Sequence, residues 1–390
     1  MQTLKPEIED WPSQYFGREK FTPKFVENEV VFAPFKAKLK IPIITIGGTN
    51  GKGETAHNLK HLFLLEGKKV GLWTSPHVLS IRERFFVGEE EVSYDDLLLQ
   101  FRASYEEIQK NKYNVSYYEF LFHVFLSLCV AKKVDVLILE VGLGGRLDAV
   151  NYLNPNVTAI TSISRDHQEF LGNSFRQILL EKLGITRPGV PLVTAFNLKF
   201  LRDLTRDYCQ QNKIINIEMH QEADYSYQNQ LMARQLKALI DENPPSEENI
   251  TFPCTKGRFE RVTIGRINIT FVGAHNLEGM RKLALRLKGH GPFDELYLSF
   301  SKRPEEEIKN CIKILGQDSS MFKDIFLTSF EHPKAAKKIA GLSSYLENWK
   351  ENLEQGLKRK ERKDILVTGS YYFIGEFQKV LFNYDANTFS

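Results

Sequence analysis

A strand-like apolar run, Ile41–Ile46, passes directly into Gly47-Gly48-Thr49-Asn50-Gly51-Lys52-Gly53, after which helical spacing takes over. No other stretch restricts the fold as tightly. Glycines let a backbone curl without Cβ clashes, so several N–H groups turn toward one anion. The helix that follows adds the positive end of its dipole, and Lys52 adds a full charge. The order strand, glycine-rich turn, helix predicts a nucleotide phosphate as ligand. The general P-loop pattern sets four residues between its first Gly and the Gly-Lys pair, with Ser or Thr after the lysine. Here three residues separate Gly47 from Gly51-Lys52, and Gly53 follows the lysine. The competing reading is an ordinary glycine-rich strand–helix turn.

At 390 residues the chain is too long for one ordinary core, so two or three domains are expected. Apolar residues make up 42%, enough for packed globular structure. Lys and Arg number 52 against 49 acidic residues, a net charge of +3. That balance argues against a dedicated nucleic-acid or membrane-surface binder and is compatible with local basic pockets for anionic small molecules. Cys129, Cys209, Cys254 and Cys311 are scattered without CxxC spacing, so reduced thiols are expected rather than a disulfide frame or zinc site. The opening MQTLKPEIEDWPS carries no basic-then-apolar signal, and no run approaches the roughly 18 apolar residues of a membrane span. The expectation is a soluble, cytoplasmic protein.

Residues 1–40 read as an amphipathic lead-in punctuated by Pro12, Pro23 and Pro34. From Ile41 to Ala195 strands and helices alternate. Strands are expected at Ile41–Ile46, Val70–Trp73, Val134–Leu139, Val157–Ser162 and Val190–Thr194, and helices at His57–Glu66, Tyr94–Gln109, Glu119–Lys132 and Ser174–Leu183. Largely apolar strands in such alternation predict an α/β fold, a mostly parallel sheet covered on both faces, with its site beyond the carboxyl ends of the strands. Residues 196–250 are more polar, with a helix expected at Gln230–Ile240 and a linker at Asp241–Asn249. Beyond it, Ile267–Val272, Glu295–Phe300, Asp324–Ser329 and Asp364–Thr368 read as strands of a second, smaller α/β unit. Charge-dense Lys350–Lys363 reads as a solvated helix face.

Several strand tips carry chemistry. Val134–Leu139 ends in Glu140, where a Mg²⁺ ligand would sit in a phosphate-loop sheet, although a lone strand-end acid is equally an exposed one. Gly142-Leu143-Gly144-Gly145-Arg146-Leu147-Asp148 follows, with glycines for close approach and Arg146 and Asp148 expected on display from a loop. Asp166-His167 follows the next strand and Thr74-Ser75-Pro76-His77 a third. Ser75, Glu140 and His167 together would form a cation site facing phosphates on Lys52. Lys182, taken alone, reads as a surface lysine.

These residues resemble the Mur ligase superfamily, and within it the folylpolyglutamate synthase/dihydrofolate synthase branch. The likeness runs in order through Gly48–Gly53, Trp73–His77 with Arg82-Glu83-Arg84, Glu140–Ala149, Asp166-His167, Leu171-Gly172 and Glu181–Ile185. It continues through Gly257–Glu260, Gly273–Asn276 and Val367–Ser370. The resemblance implies a central ATP-binding domain over residues 1–250, with the lead-in, and a Rossmann-like C-terminal domain over 251–390. It implies an ATP- and Mg²⁺-dependent amide ligase that phosphorylates a folate or dihydropteroate carboxylate and joins L-glutamate to the acyl phosphate. The implied roles are catalytic for Lys52, Glu140, His167 and Lys182, the last as a carbamylated lysine. Ser75, Glu140 and His167 are the implied metal ligands. Thr49, Asn50, Gly51, Lys52, Gly53, Glu54, Thr55, Arg258 and His275 are implied to hold ATP. Tyr118, Glu119, Phe120, Leu121, Leu147, Asp148 and Ala149 are implied to hold the pteridine-bearing substrate. The expected state is a monomer with small-molecule partners and neither nucleic acid nor membrane.

The chain departs from the pattern at three places. Glu54 stands where the family has Ser, with Thr55 next to it as a substitute hydroxyl. Val272 stands where an Asp for the ATP ribose is usual, and Leu231 where an Asn is expected near the nucleotide. Two other readings stay open: a folate-ligase homologue weakened in catalysis that acts by binding, and another Mur-type ligase building peptides.

Overall fold

The computed structural model describes residues 5–17, 25–222, 224–241, 250–290, 292–317, 320–338, 345–358 and 362–388. The chain divides into two compact units, residues 1–253 and 254–390.

The first unit is built on a seven-stranded sheet. Its strands are β1 (Ile43–Gly47), β2 (Val70–Trp73), β3 (Phe85–Gly88), β4 (Val136–Glu140), β5 (Val157–Ile160), β6 (Pro191–Thr194) and β7 (Ile215–Glu218), in the spatial order β3-β2-β4-β1-β5-β6-β7. All neighbours run parallel except β3, which is antiparallel to β2. Every residue of β1, β2, β4 and β5 is buried, and the reason is visible in the two apolar layers. Leu137 and Leu139 face Phe120, Leu121 and Phe125 of helix Tyr117–Lys132, in one core. Ile44, Ile46 and Ile138 share the other with Leu59, Leu62 and Phe63 of helix Lys52–Leu64 and Met232 and Leu236 of helix Tyr225–Ala238. Strand side chains alternate faces, so helices on both sides favour apolar residues at nearly every position, with Thr45, Thr158 and Glu140 as the buried polar exceptions. The lead-in joins the first core: Trp11 stacks on Phe101 and Phe120, and Phe32 packs against Phe122.

The second unit carries a five-stranded sheet of β8 (Arg258–Ile264), β9 (Ile267–Val272), β10 (Phe293–Ser299), β11 (Phe322–Leu327) and β12 (Lys363–Gly369), ordered β11-β10-β12-β9-β8. It is parallel except for the β8–β9 hairpin. Strand β2 and strand β9 match the sequence expectation to the residue. Three strands escape it, β3, β7 and β8, and all lie at sheet edges. Helix Lys199–Gln211 also escapes it; its buried stripe is only Leu201, Thr205 and Cys209. The charge-dense stretch near Lys350 is a helix, Trp349–Lys358, but not purely solvated: Trp349, Leu353, Gly356 and Leu357 are buried. The expected linker lies outside the described residues over 242–249. Among the described residues, no helix is long and apolar enough to cross a membrane.

Candidate active site

The carboxyl ends of the parallel strands of the first unit gather most of the predicted residues. The loop after β1 is shaped by Gly48 at φ 138° and Gly51 at φ 92°, conformations that L side chains rarely adopt. It is sewn to the end of β5. Thr49 N donates to Ser162 O at 2.8 Å, Asn50 N donates to Ser162 Oγ at 2.9 Å, and Thr161 Oγ1 donates to Asn50 O at 2.7 Å. Lys52 is the first residue of helix Lys52–Leu64, and its Nζ donates to Thr49 O at 3.2 Å. Strand, loop and helix dipole thus stand in the predicted order.

Lys182 is the first correction. It is not a surface residue: it is 4% exposed, and its Nζ donates to Gly48 O at 2.9 Å. Burial and then the nearby Lys52 charge pull its pKa down to about 7, against the opposing pull of Asp166 and Asp148. Two glycines, Gly145 of the loop after β4 and Gly184 at the end of the helix that carries Lys182, explain its burial. A Cβ on Gly145 would meet Glu181 O and Lys182 O at 2.9 and 3.0 Å, and one on Gly184 would meet Arg146 Cβ at 2.4 Å. These glycines bring the loop against helix Phe175–Leu183 rather than against a ligand. Arg146 is on the surface, paired with Glu181 at 2.8 Å.

Asp148 is the second correction. It was expected on display and is instead 4% exposed. It accepts from Gly142 N at 2.9 Å, Leu143 N at 3.0 Å and Val150 N at 3.1 Å, and from the Tyr118 hydroxyl at 3.4 Å. Burial raises its pKa to about 6 in spite of those donors. Of the residues assigned to a pteridine-bearing substrate, Tyr118 and Leu147 keep partial exposure. Ala149 is buried, Glu119 accepts from Ser116 N as a helix cap at 2.7 Å, and Phe120 and Leu121 lie wholly in the core.

Glu140, at the tip of β4, is 4% exposed. Its Oε2 accepts from Ser75 N at 3.1 Å and lies 3.3 Å from where a Cβ on Gly53 would stand. The structure therefore brings Ser75, Glu140 and the start of the Lys52 helix together. The segment after Ser75 is braced by two acids. Glu83 accepts from Val78 N, Leu79 N and Ser80 N at 2.7, 3.1 and 3.2 Å. Glu9, from the lead-in, accepts from Ser80 Oγ and Ile81 N, both at 2.7 Å, and from the Tyr94 hydroxyl at 2.8 Å. His167 differs in character: it is half exposed, at φ 50°, with Nδ1 3.9 Å from Glu169. A hard oxygen donor, buried beside phosphate-loop backbone, suits a divalent cation, and Glu140 with Ser75 supplies it.

Helix Tyr225–Ala238 supplies a residue that the sequence reading missed. An asparagine stands two positions before Leu231. Asn229, 2% exposed, donates to Glu54 Oε2 at 2.8 Å, and its Oδ1 lies 2.7 Å from a Cβ built on Gly51. Thr55 is fully buried, and its hydroxyl has no hydrogen-bond partner among the described residues.

In the second unit, Arg258 opens β8 and His275 follows β9, and Tyr371 joins them. The Arg258 guanidinium lies 4.4 Å from the Tyr371 ring centroid and the His275 ring 5.8 Å from it. Gly273 admits the tyrosine, since a Cβ there would fall 2.1 Å from its ring. Arg258 Nη1 is buried without a hydrogen-bond partner among the described residues. Asn276 caps helix Leu277–Leu287 through Gly279 N at 2.9 Å. Val272 lies in the apolar core of this unit, 6% exposed, and its carbonyl accepts from the Thr368 hydroxyl at 2.6 Å.

The dihydrofolate synthase/folylpolyglutamate synthase of Bacillus subtilis (strain 168) is 28% identical over 393 residues, covering 88% of this chain and 91% of its own. The bifunctional folylpolyglutamate synthase/dihydrofolate synthase of Yersinia pestis, solved with AMPPNP and Mn, superposes with a TM-score of 0.80 at 24% identity, covering 98% of this chain and 100% of its own. Escherichia coli FolC in complex with DHPP and ADP gives 0.81 at 23% identity, covering 97% and 98%. These structural likenesses show the shared two-domain fold. The Mur ligase middle domain matches residues 46–278, more than half of the length, and the chain belongs to the Mur ligase family.

Proposed function

We propose that the chain is an ATP-dependent ligase that joins L-glutamate to the carboxylate of a folate or dihydropteroate through an acyl phosphate. One observation carries this reading: two lysines and a buried carboxylate converge on one phosphate loop at the head of a parallel sheet. The near-full-length likeness to a dihydrofolate synthase/folylpolyglutamate synthase supports the substrate class.

The barrier is charge build-up as a phosphoryl group moves from one anion to another. The N–H groups of Gly51, Lys52 and Gly53 and the Lys52 ammonium are assigned to the triphosphate, with Thr49 and Asn50 holding the loop to Ser162 and with Glu54 and Thr55 in the same first turn. Ser75, Glu140 and His167 would hold Mg²⁺. That ion, when bound, offsets phosphate charge and orients the transferring group. Lys182 near pH 7 is partly the neutral amine, which adds CO₂ to give a carbamate and release a proton, turning a buried cation into an anion. Tyr118 and Leu147 are assigned to the pteridine-bearing substrate, with Asp148 fastening their loop, and Arg258 and His275 to the nucleotide.

The test is product mass spectrometry with dihydropteroate and with tetrahydrofolate, each supplied with ATP, Mg²⁺ and L-glutamate. A mass increase of one glutamyl residue, absent in Lys52→Ala and absent when any component is omitted, is expected. No product above the Lys52→Ala control would overturn the proposal.

A further inference from the structure

Glu54 sits in the first turn of helix Lys52–Leu64, one residue beyond Gly53. An acid there suits the helix itself, because it faces the positive end of the dipole. It opposes a phosphate bound at that same end, because the two are like charges. The carboxylate is not free to swing away. Asn229 donates to its Oε2 at 2.8 Å, and the same amide abuts Gly51, with Oδ1 2.7 Å from a Cβ built there. Asn229 is 2% exposed, so breaking this bond would leave a buried amide unsatisfied. One buried side chain therefore pins a negative charge against the turn of the phosphate loop.

We propose that Glu54 sets the metal dependence of nucleotide binding: its charge makes the loop reject a metal-free polyphosphate and accept the divalent-cation complex. The cation cancels part of the phosphate charge and turns the carboxylate from a repelling neighbour into an attracting one. Lys52 and the loop N–H groups alone would bind either form. Glu54 converts that indiscriminate anion site into one that fills only with the reactive, cation-bearing nucleotide. The inference rests on the reading that the loop binds ATP.

The experiment is calorimetric titration of a non-hydrolysable ATP analogue, once with Mg²⁺ and once with EDTA, into the wild type, Glu54→Gln and Glu54→Ser. Gln removes the charge and keeps an oxygen to accept from Asn229, so charge is separated from geometry. Ser removes both and guards against a peculiarity of the amide. The quantity read is the ratio of the two dissociation constants, EDTA over Mg²⁺. Both variants are expected to lower that ratio by roughly tenfold or more. An equal ratio in all three proteins, with the wild type binding normally, overturns this proposal and leaves the ligase reading standing. A wild type that binds the analogue in neither condition overturns both.

Discussion

The two units handle charge in opposite ways. At the strand tips of the first, Lys182, Glu140, Asp148 and Asn229 are each 4% exposed or less, and each is hydrogen-bonded to backbone or to a neighbouring side chain. In the second, Arg258 lies over the Tyr371 ring with His275 tilted beside it, and both keep part of their surface in water. The first arrangement is paid for during folding, before any ligand arrives. The second leaves a stacked cation whose Nη1 has no hydrogen-bond partner among the described residues, able to adjust to an anion. Buried, preorganised charge suits transition-state stabilisation, whereas a stacked, half-exposed pair suits recognition. Substitutions of the buried Lys182 and Glu140 should therefore act mainly on kcat, and those around Tyr371 on KM.

The largest effect is expected at Lys182. Lys182→Met should lower kcat by on the order of a hundredfold or more. Its pKa of about 7, against an ordinary 10.5, means that the unfolded chain holds a proton which the folded chain releases between those values. Wild-type stability from this group therefore rises with pH across that window, and its cost is full below it. The methionine variant lacks the dependence, so its melting temperature relative to wild type should be more favourable at pH 6 than at pH 9. Equal differences at both pH values would show that the lysine is not the buried cation described. Asp148→Asn comes next. The amide turns a donor toward groups that already donate, which should cost roughly 1–3 kcal/mol in chemical denaturation. A variant as stable as wild type would break the view of Asp148 as the fastener of its loop. The smallest effect is expected in the second unit. Tyr371→Leu should raise the KM for ATP about threefold to tenfold with kcat within about twofold, since a stacked cation is worth roughly 1 kcal/mol. A fall in kcat alone would erase the distinction between the units.

Much of this was legible in the sequence, for physical reasons that also mark where legibility ends. β1, β2, β4 and β5 are covered on both faces, so they announce themselves as largely apolar runs. β7, with the sequence INIE, and β8, with RFERVTI, pair on one side only and carry polar residues that blur into loop. Lys52, Ser75 and Glu140 could be found because a strand tip is a position that sequence patterning predicts. Lys182 could not be read as buried, because its burial comes from two glycines, Gly145 and Gly184, closing a loop on its helix. Asn229 was missed because its partner Glu54 lies 175 residues away, and nothing local distinguishes it from its polar neighbours. The mistaken display of Asp148 has the same origin: a Gly-rich loop looks open until its N–H groups are counted onto one carboxylate.

The central claim is that the strand-tip cluster transfers phosphate to a carboxylate before glutamate attacks. It is tested most directly with a folate substrate whose reacting carboxylate carries oxygen-18, incubated with ATP, Mg²⁺ and L-glutamate. Passage through an acyl phosphate predicts one labelled oxygen in the inorganic phosphate for each amide formed, and none with Lys52→Ala. Amide formation with unlabelled phosphate would contradict the account.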